Sequence, residues 1–174
     1  MIREEYDQYH SALIKRGNFA QKLVLEELSK YLVYGQSKRK INVSDLRLDQ
    51  LKKLDINTLY HEMEFLYHKE KAHVDFVIQI KGEIYIIELK SGSSHNDNRK
   101  SHDILKVLRN AKKYIKKNYD IKGKHIHLVL LITDNYSIKI PTGNVDIYNL
   151  ENLQYILELP KDFTENITKQ LKYY

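Results

Sequence analysis

Three stretches of the chain have the pattern of apolar and polar positions that is typical of β-strands. Residues 76–80 and 84–89 are rich in β-branched and aromatic side chains, and Lys81-Gly82 between them suits a tight turn. Residues 58–68 alternate between two sets of side chains, as a strand requires. The pattern therefore predicts three consecutive strands, of which the last two form a hairpin.

Helical spacing dominates the segment before these strands. Apolar residues recur every three or four positions over 19–33, which predicts an amphipathic helix. A shorter helix is expected over 4–15, ending at Gly17-Asn18, with Asn18 as the cap of the second helix. Residues 35–42 are expected to form a basic loop, and a further short helix is expected from Ser44 to Leu54.

The segment after the hairpin is expected to begin with a polar loop over 93–100. Ser101 is then expected to cap a helix over 102–118. Strands are predicted at 127–133 and 145–148, followed by a helix over 150–158. The tail after Pro160 is only weakly amphipathic, and no element is assigned to it.

The order of these elements is α-β-β-β-α-β, followed by a small strand and a helix. Such an order predicts an α/β fold in which helices flank a central mixed β-sheet on both faces. The chain has 174 residues and shows no repeat or linker, so we expect one domain over 1–174 with an N-terminal helical region over 1–55.

Composition excludes several classes of function. The chain has no cysteine, which excludes disulfides, thiolate zinc sites and a cysteine nucleophile. No run of 18 apolar residues is present, so a membrane span is not expected, and the first residues lack the apolar core of a signal peptide. A cytoplasmic location is the default expectation. The net charge of +6 favours a polyanionic partner such as nucleic acid.

The candidate chemistry lies at the ends of the predicted hairpin strands. Asp75 opens the first of them, and Glu88 and Lys90 end the second. Because side chains alternate along a strand, Glu88 and Lys90 are expected on one face and Leu89 on the other. Two carboxylates and a lysine are the groups that a hard cation and an activated water require. The alternative is a surface ion pair at a strand end.

Asp75, twelve intervening residues and Glu88-Leu89-Lys90 resemble the core motif of the PD-(D/E)XK nuclease superfamily, although Val74 replaces the proline of that motif. The resemblance implies a restriction-endonuclease-like core and a Mg²⁺ ion, for which Mn²⁺ can substitute. Asp75, Glu88 and the backbone carbonyl of Leu89 would hold the ion. Lys90 would orient or deprotonate the attacking water, or stabilise the developing negative charge.

The resemblance also implies an activity, the hydrolysis of phosphodiester bonds in DNA. Small nucleases of this kind occur in viruses and mobile elements, where the location would be the host cytoplasm, and often act as homodimers. The alternative is a catalytically inactive nuclease fold that serves as a nucleic-acid-binding or assembly subunit. The intact Asp75, Glu88 and Lys90 favour the active enzyme.

Branches of the superfamily add a further acid. In the RecB-like branch it lies on the preceding strand, where Glu62 matches best and Glu64 is the alternative. In the junction-resolvase branch it follows a glycine on the first helix, whereas the segment from Gly17 to Gln21 has no acid. If the chain resembles that branch, Glu26 or Glu27 would take the place of the missing acid.

A second candidate surface is the basic side of the helix predicted over 102–118. Basic residues three or four positions apart lie on one side of a helix and can follow a phosphate backbone. The expected nucleic-acid-binding residues are Lys106, Arg109, Lys113 and Lys116. The alternative is an ordinary solvated helix face.

Overall fold

The structure is a computed structural model that describes residues 3–34, 40–41, 58–67, 69–91, 98–119, 121–133 and 143–173. Its strands are β1 (Val33–Tyr34), β2 (Lys40–Ile41), β3 (Thr58–Tyr67), β4 (Glu70–Ile80), β5 (Glu83–Lys90), β6 (Ile126–Ile132) and β7 (Val145–Tyr148). Its α-helices are α1 (Arg3–Leu28), α2 (Asn98–Tyr119), α3 (Leu150–Ile156) and α4 (Asp162–Leu171). The run α1-β3-β4-β5-α2-β6 confirms the order predicted from the sequence.

The strands form one mixed sheet in the order β1-β3-β4-β5-β6-β7, with β2 also pairing with β3. Strands β3, β4 and β5 are antiparallel neighbours, whereas β6 runs parallel to β5 and β7 parallel to β6. Parallel neighbours need a crossover connection, and α2 lies in the one between β5 and β6. The predicted α/β fold with a central mixed sheet is therefore confirmed.

Helices cover both faces of the sheet. One apolar core joins α1, α3 and α4 to residues such as Phe76, Ile78 and Ile87 of the sheet. The other joins α2 to residues such as Val77 and Ile86. Since neighbouring residues of a strand belong to opposite cores, both faces are buried. None of the described helices combines the length and apolar character that crossing a membrane requires.

The turn at Lys81-Gly82 is confirmed. Both residues have positive φ, 50° and 79°, as a two-residue turn of type I′ requires. The pairing of Ile80 with Glu83 closes the hairpin. This turn fixes the register of β4 against β5 and therefore brings Asp75 level with Glu88.

The predicted break at Gly17-Asn18 is wrong, because α1 runs through both residues without interruption and Asn18 caps nothing. A glycine in a helix interior costs only about 1 kcal/mol relative to alanine. Burial of one side of α1, including Ala20, Val24 and Leu28, offsets that cost.

Three other helix boundaries differ from the prediction. Helix α1 ends at Leu28, so the last residues of the helix expected over 19–33 lie outside it. Helix α2 begins at Asn98, so Ser101 lies inside it and the expected loop over 93–100 overlaps its first turn. Helix α3 ends at Ile156. The expected loop over 35–42, apart from β2, the helix over 44–54 and residues 93–97 fall outside the described residues.

Helix α4 is an element that the sequence pattern missed. Its buried side chains are Phe163, Ile167 and Leu171, one for each turn of the helix. These residues lie four positions apart, which is a helical spacing, so the expectation of no element after Pro160 is wrong. The helix is stable because these three side chains complete the core between α1 and the sheet.

Candidate active site

The two central strands diverge where the candidate residues lie. The last paired residues of β4 and β5 are Phe76 and Ile87. Strand β5 nevertheless stays paired with β6 as far as Lys90. Asp75 and Glu88 are the next residues along their strands, so they lie at the opening between β4 and β5.

The carboxylates of Asp75 and Glu88 occupy this opening and replace the missing backbone pairing. The backbone N–H of Leu89 donates a hydrogen bond to Asp75 Oδ2 at 2.8 Å. In return, the backbone N–H of Asp75 donates to Glu88 Oε1 at 3.2 Å. Each strand thus holds a carboxylate of the other, which fixes both acids side by side.

The alternation of side chains along β4 is interrupted at Asp75. Phe76, Ile78 and Ile80 belong to the core beneath α1, whereas Val74 belongs to the core beneath α2. Val74 and Phe76 would share one face in a regular strand. The change of face between them leaves the Asp75 carboxylate between the strands, in reach of the β5 backbone.

The side chains of β3 also change from one face of the sheet to the other, at the position opposite Asp75. Leu59 belongs to the core beneath α1 and Phe65 to the core beneath α2, although they are six positions apart and would share one face in a regular strand. Glu62 lies between them with a φ of 50°, in the left-handed region that non-glycine residues rarely adopt. The alternation of side chains therefore shifts at the same level in both strands. The register of β3 against β4 is the same before and after Glu62 and Asp75.

The electrostatic state of the acids follows from their crowding. Burial raises the pKa of Asp75, and the Leu89 N–H and the charges of Lys90, His73 and His61 oppose that rise. Burial and then the Asp75 charge raise the pKa of Glu88 to about 8, against the opposing charge of Lys90. Two acids this close together disfavour two negative charges without a cation.

A cavity of about 510 Å³ opens at these acids. Asp75, Glu88, Leu89 and Lys90 all line it, so the structure brings together the four central residues of the predicted site. Two helices form opposite walls of this cavity. The wall residues of α1 are Gly17, Asn18 and Gln21, and those of α2 are Asp103, Ile104 and Val107.

Gln21 is a member of the site that the sequence did not reveal. Its Nε2 donates to Asp75 Oδ1 over a long 3.3 Å and lies 3.0 Å from Nε2 of His61. His61 in turn stacks on Phe76 with a ring separation of 5.4 Å. Gln21 follows Gly17 by one helical turn, but its side chain is an amide and does not match the acid expected after a glycine on this helix. Gln21 thus attaches α1 to the acid pair.

The acids considered on α1 are engaged elsewhere. Glu27 accepts from Lys30 at 2.6 Å and from Asn166 at 3.3 Å. The side chain of Glu26 is more than half exposed, and its Oε1 lies 4.0 Å from Nζ of Lys22. Neither lines the cavity. The α1 wall therefore carries amides in place of an acid.

Glu62 is exposed and does not line the cavity, although it lies opposite Asp75 on β3. The sequence predicts Glu62 as an additional acid, whereas its exposure and its backbone conformation favour a structural role. We expect Glu62→Gly to raise the free energy of unfolding by about 1 kcal/mol and to retain cleavage, because glycine adopts positive φ without strain. Thermal unfolding and a cleavage assay measure the two effects.

The control for this substitution is Glu62→Ala, which removes the same carboxylate and keeps the strain. A large loss of cleavage in both folded variants would instead make the Glu62 carboxylate part of the site. The backbone of Glu64 pairs with that of His73 on β4.

The basic residues predicted on α2 are exposed. Lys106, Arg109, Lys113 and Lys116 all lie on the outer side of the helix, and Leu105, Leu108 and Ile115 on its inner side are buried. Asp103 is the one acidic residue of α2, and it lies on the cavity wall. The helix therefore presents positive charge to solvent and a single acid to the site.

The donor groups of the site suit a hard cation. Among the described residues, no three His, Asp or Glu side chains are grouped as metal ligands. Mg²⁺ retains several waters and needs only one or two carboxylates. Asp75 and Glu88 supply two carboxylates, and the elevated pKa of Glu88 indicates a place that favours added positive charge.

Comparison of the chain with protein-family models and with curated proteins gives no match. Its function must therefore be inferred from the chemistry of its own side chains.

Proposed function

We propose that the protein is a Mg²⁺-dependent nuclease that hydrolyses phosphodiester bonds of DNA, with a core of the PD-(D/E)XK kind. The observation that carries this proposal is the convergence of Asp75, Glu88 and Lys90 in one cavity, where β4 and β5 diverge. A surface ion pair at a strand end accounts for Glu88 and Lys90 alone. It does not account for the reciprocal hydrogen bonds that hold Asp75 beside Glu88.

Asp75 and Glu88 are the residues that would hold the cation, with the backbone carbonyl of Leu89 as a further ligand. When bound, such an ion supplies positive charge at the phosphorus and promotes the loss of a proton from water. The Leu89 N–H fixes the Asp75 carboxylate, and Gln21 contacts its other oxygen. Both contacts orient Asp75 before a cation arrives, which lowers the reorganisation that binding requires.

Lys90 is the group that would act on the attacking water or on the developing negative charge. Its ammonium is close enough to Asp75 and Glu88 to lower the pKa of each. Its side chain is half-buried at the end of β5 and lines the cavity. It can therefore hold a water, or a phosphate oxygen, directly beside the two acids.

The outer face of α2 would contact phosphates of the DNA outside the cavity. We expect the double replacement of Lys113 and Lys116 by alanine to weaken binding to all DNA sequences alike. Each lost phosphate contact should reduce the slope of log affinity against log salt by about one unit. Fluorescence anisotropy with unrelated oligonucleotides across a salt series measures this slope.

The matched control for that variant is the double replacement of Lys169 and Lys172 by alanine. Both lysines are exposed at the end of α4, and their replacement removes the same charge. The control should keep the slope of the unaltered protein. An unchanged slope in the α2 variant would show that this face is only solvated, and the binding surface would then lie elsewhere.

The proposed activity is tested by incubating the protein with plasmid, linear duplex DNA, single-stranded DNA and RNA, each with Mg²⁺, Mn²⁺ or EDTA. We expect cleavage of DNA with Mg²⁺ or Mn²⁺ and none with EDTA. DNA binding without cleavage under every condition would favour the alternative, a nuclease-like fold without catalysis.

A further inference from the structure

Gly17 occupies a place in α1 for which the fold gives no reason. A glycine weakens a helix interior relative to alanine, because it lacks a side chain and gains freedom in the unfolded chain. Gly17 does not have a positive φ, and an added Cβ would meet no atom of the described residues within 4 Å. Neither backbone conformation nor close packing therefore requires glycine here.

The position of Gly17 relative to the acids supplies a reason. Gly17 lines the cavity one helical turn before Gln21, whose amide contacts Asp75. A side chain at position 17 would extend into open space on the same wall. Glycine therefore keeps clear a part of the cavity that lies next to the acid pair.

The two walls of the cavity differ in chemistry. The α1 wall carries the uncharged amides of Asn18 and Gln21, and that of Asn18 can donate a hydrogen bond to a phosphate oxygen. The α2 wall carries Asp103, which repels phosphate, and the half-buried apolar side chains of Ile104 and Val107, which suit a sugar or a base. A bound strand would be oriented by this difference.

We propose that the segment from Gly17 to Gln21 is the binding surface for the sugar-phosphate backbone of the bound strand, with its bases directed towards Ile104 and Val107. Gly17 supplies the space for the backbone, and Asn18 supplies a hydrogen-bond donor for a phosphate. This proposal rests on the proposed function and adds to it the orientation of the substrate.

The test is a size series at position 17, Gly17→Ala and Gly17→Leu. Lys22→Leu is the control, because it adds the same side chain to the exposed side of α1 and away from the cavity. Four quantities are measured for each variant: Tm, Mg²⁺ affinity by calorimetry, the single-turnover rate of DNA cleavage, and the affinity for a fluorescent DNA oligonucleotide. The last is measured in the Lys90→Ala background with Mg²⁺, to prevent cleavage.

Gly17→Ala should raise Tm by about 3 °C, because alanine favours the helix. Mg²⁺ affinity should stay unchanged in both variants. DNA affinity and cleavage should fall with side-chain size, by about tenfold or more for Gly17→Leu, because the backbone is displaced from the acids. The Lys22→Leu control should match the unaltered protein in DNA affinity and cleavage.

The outcomes separate this proposal from the proposed function. If the unaltered protein cleaves DNA and Gly17→Leu cleaves it equally well, the proposed binding surface on α1 is wrong, but the proposed nuclease function is unaffected. Weakened Mg²⁺ affinity in both Gly17 variants would show distortion of the acid pair and would also overturn the α1 surface. If the unaltered protein neither binds nor cleaves DNA, both proposals are wrong.

Discussion

Replacement of Lys90 with alanine is expected to abolish DNA cleavage while the protein keeps its fold. Lys90 ends β5, and its half-buried side chain lines the cavity beside Asp75 and Glu88. Loss of a group that moves a proton or stabilises developing charge typically lowers a rate by about 100-fold or more. The side chain contributes to neither apolar core, so Tm should change little.

The matched control is Lys81→Ala, at the opposite end of the same hairpin. Lys81 is exposed and forms an ion pair with Glu158, far from the cavity. An exposed pair contributes little to stability, so this variant should retain both fold and cleavage. Circular dichroism and a single-turnover assay compare the two variants. Full activity of a folded Lys90→Ala protein would remove Lys90 from the mechanism.

Glu88→Gln is expected to stabilise the metal-free protein at alkaline pH and to remove its stabilisation by Mg²⁺. Because the pKa of Glu88 is raised to about 8 in the folded state, its contribution to stability is fully present below its ordinary pKa of 4.5. That contribution is lost as the pH rises through about 8. Glutamine carries no charge at any pH, so the variant escapes this loss.

The size of the effect follows from the shift. Each pKa unit corresponds to about 1.4 kcal/mol, and each kcal/mol to about 3 °C in a chain of this size, so an increase in Tm on the order of 10 °C is expected at about pH 9, and almost none at about pH 4. Mg²⁺ should raise the Tm of the unaltered protein at the higher pH and leave Glu88→Gln unaffected. Asp75→Asn should likewise weaken Mg²⁺ binding, since it removes one of two charges.

Glu151→Gln is the control, because Glu151 is exposed on α3 and lies outside the cavity. Scanning calorimetry at the two pH values, with and without Mg²⁺, measures stability, and titration calorimetry measures affinity. Unchanged Mg²⁺ affinity in both Asp75→Asn and Glu88→Gln would show that these carboxylates do not hold the ion.

The strands of the site were predictable because runs of β-branched and aromatic residues on both sides of a turn mark their positions. The runs 76–80 and 84–89 and the Lys81-Gly82 turn determine the register, and the register brings Asp75 level with Glu88. The basic outer face of α2 was equally predictable from three- and four-residue spacing. These features depend on residues that are close together in the sequence, so the pattern of apolar and polar positions indicates them directly.

The features that were missed depend on contacts between distant segments. Gln21 meets Asp75 only because α1 packs across the sheet, and a continuous α1 is possible because buried side chains offset the cost of Gly17. The left-handed conformation of Glu62 arises from the joint turning of β3 and β4, and no local signal marks it.

The central claim, metal-dependent hydrolysis at Asp75, Glu88 and Lys90, is tested most directly by one comparison of cleavage rates. The unaltered protein and Lys90→Ala are purified in parallel and incubated with DNA while Mg²⁺ is titrated and then chelated. The account predicts a rate that rises to saturation with Mg²⁺, stops on chelation and is absent from Lys90→Ala. Cleavage that is independent of Mg²⁺, equal in the two preparations, or absent from the unaltered protein on every DNA substrate would contradict it.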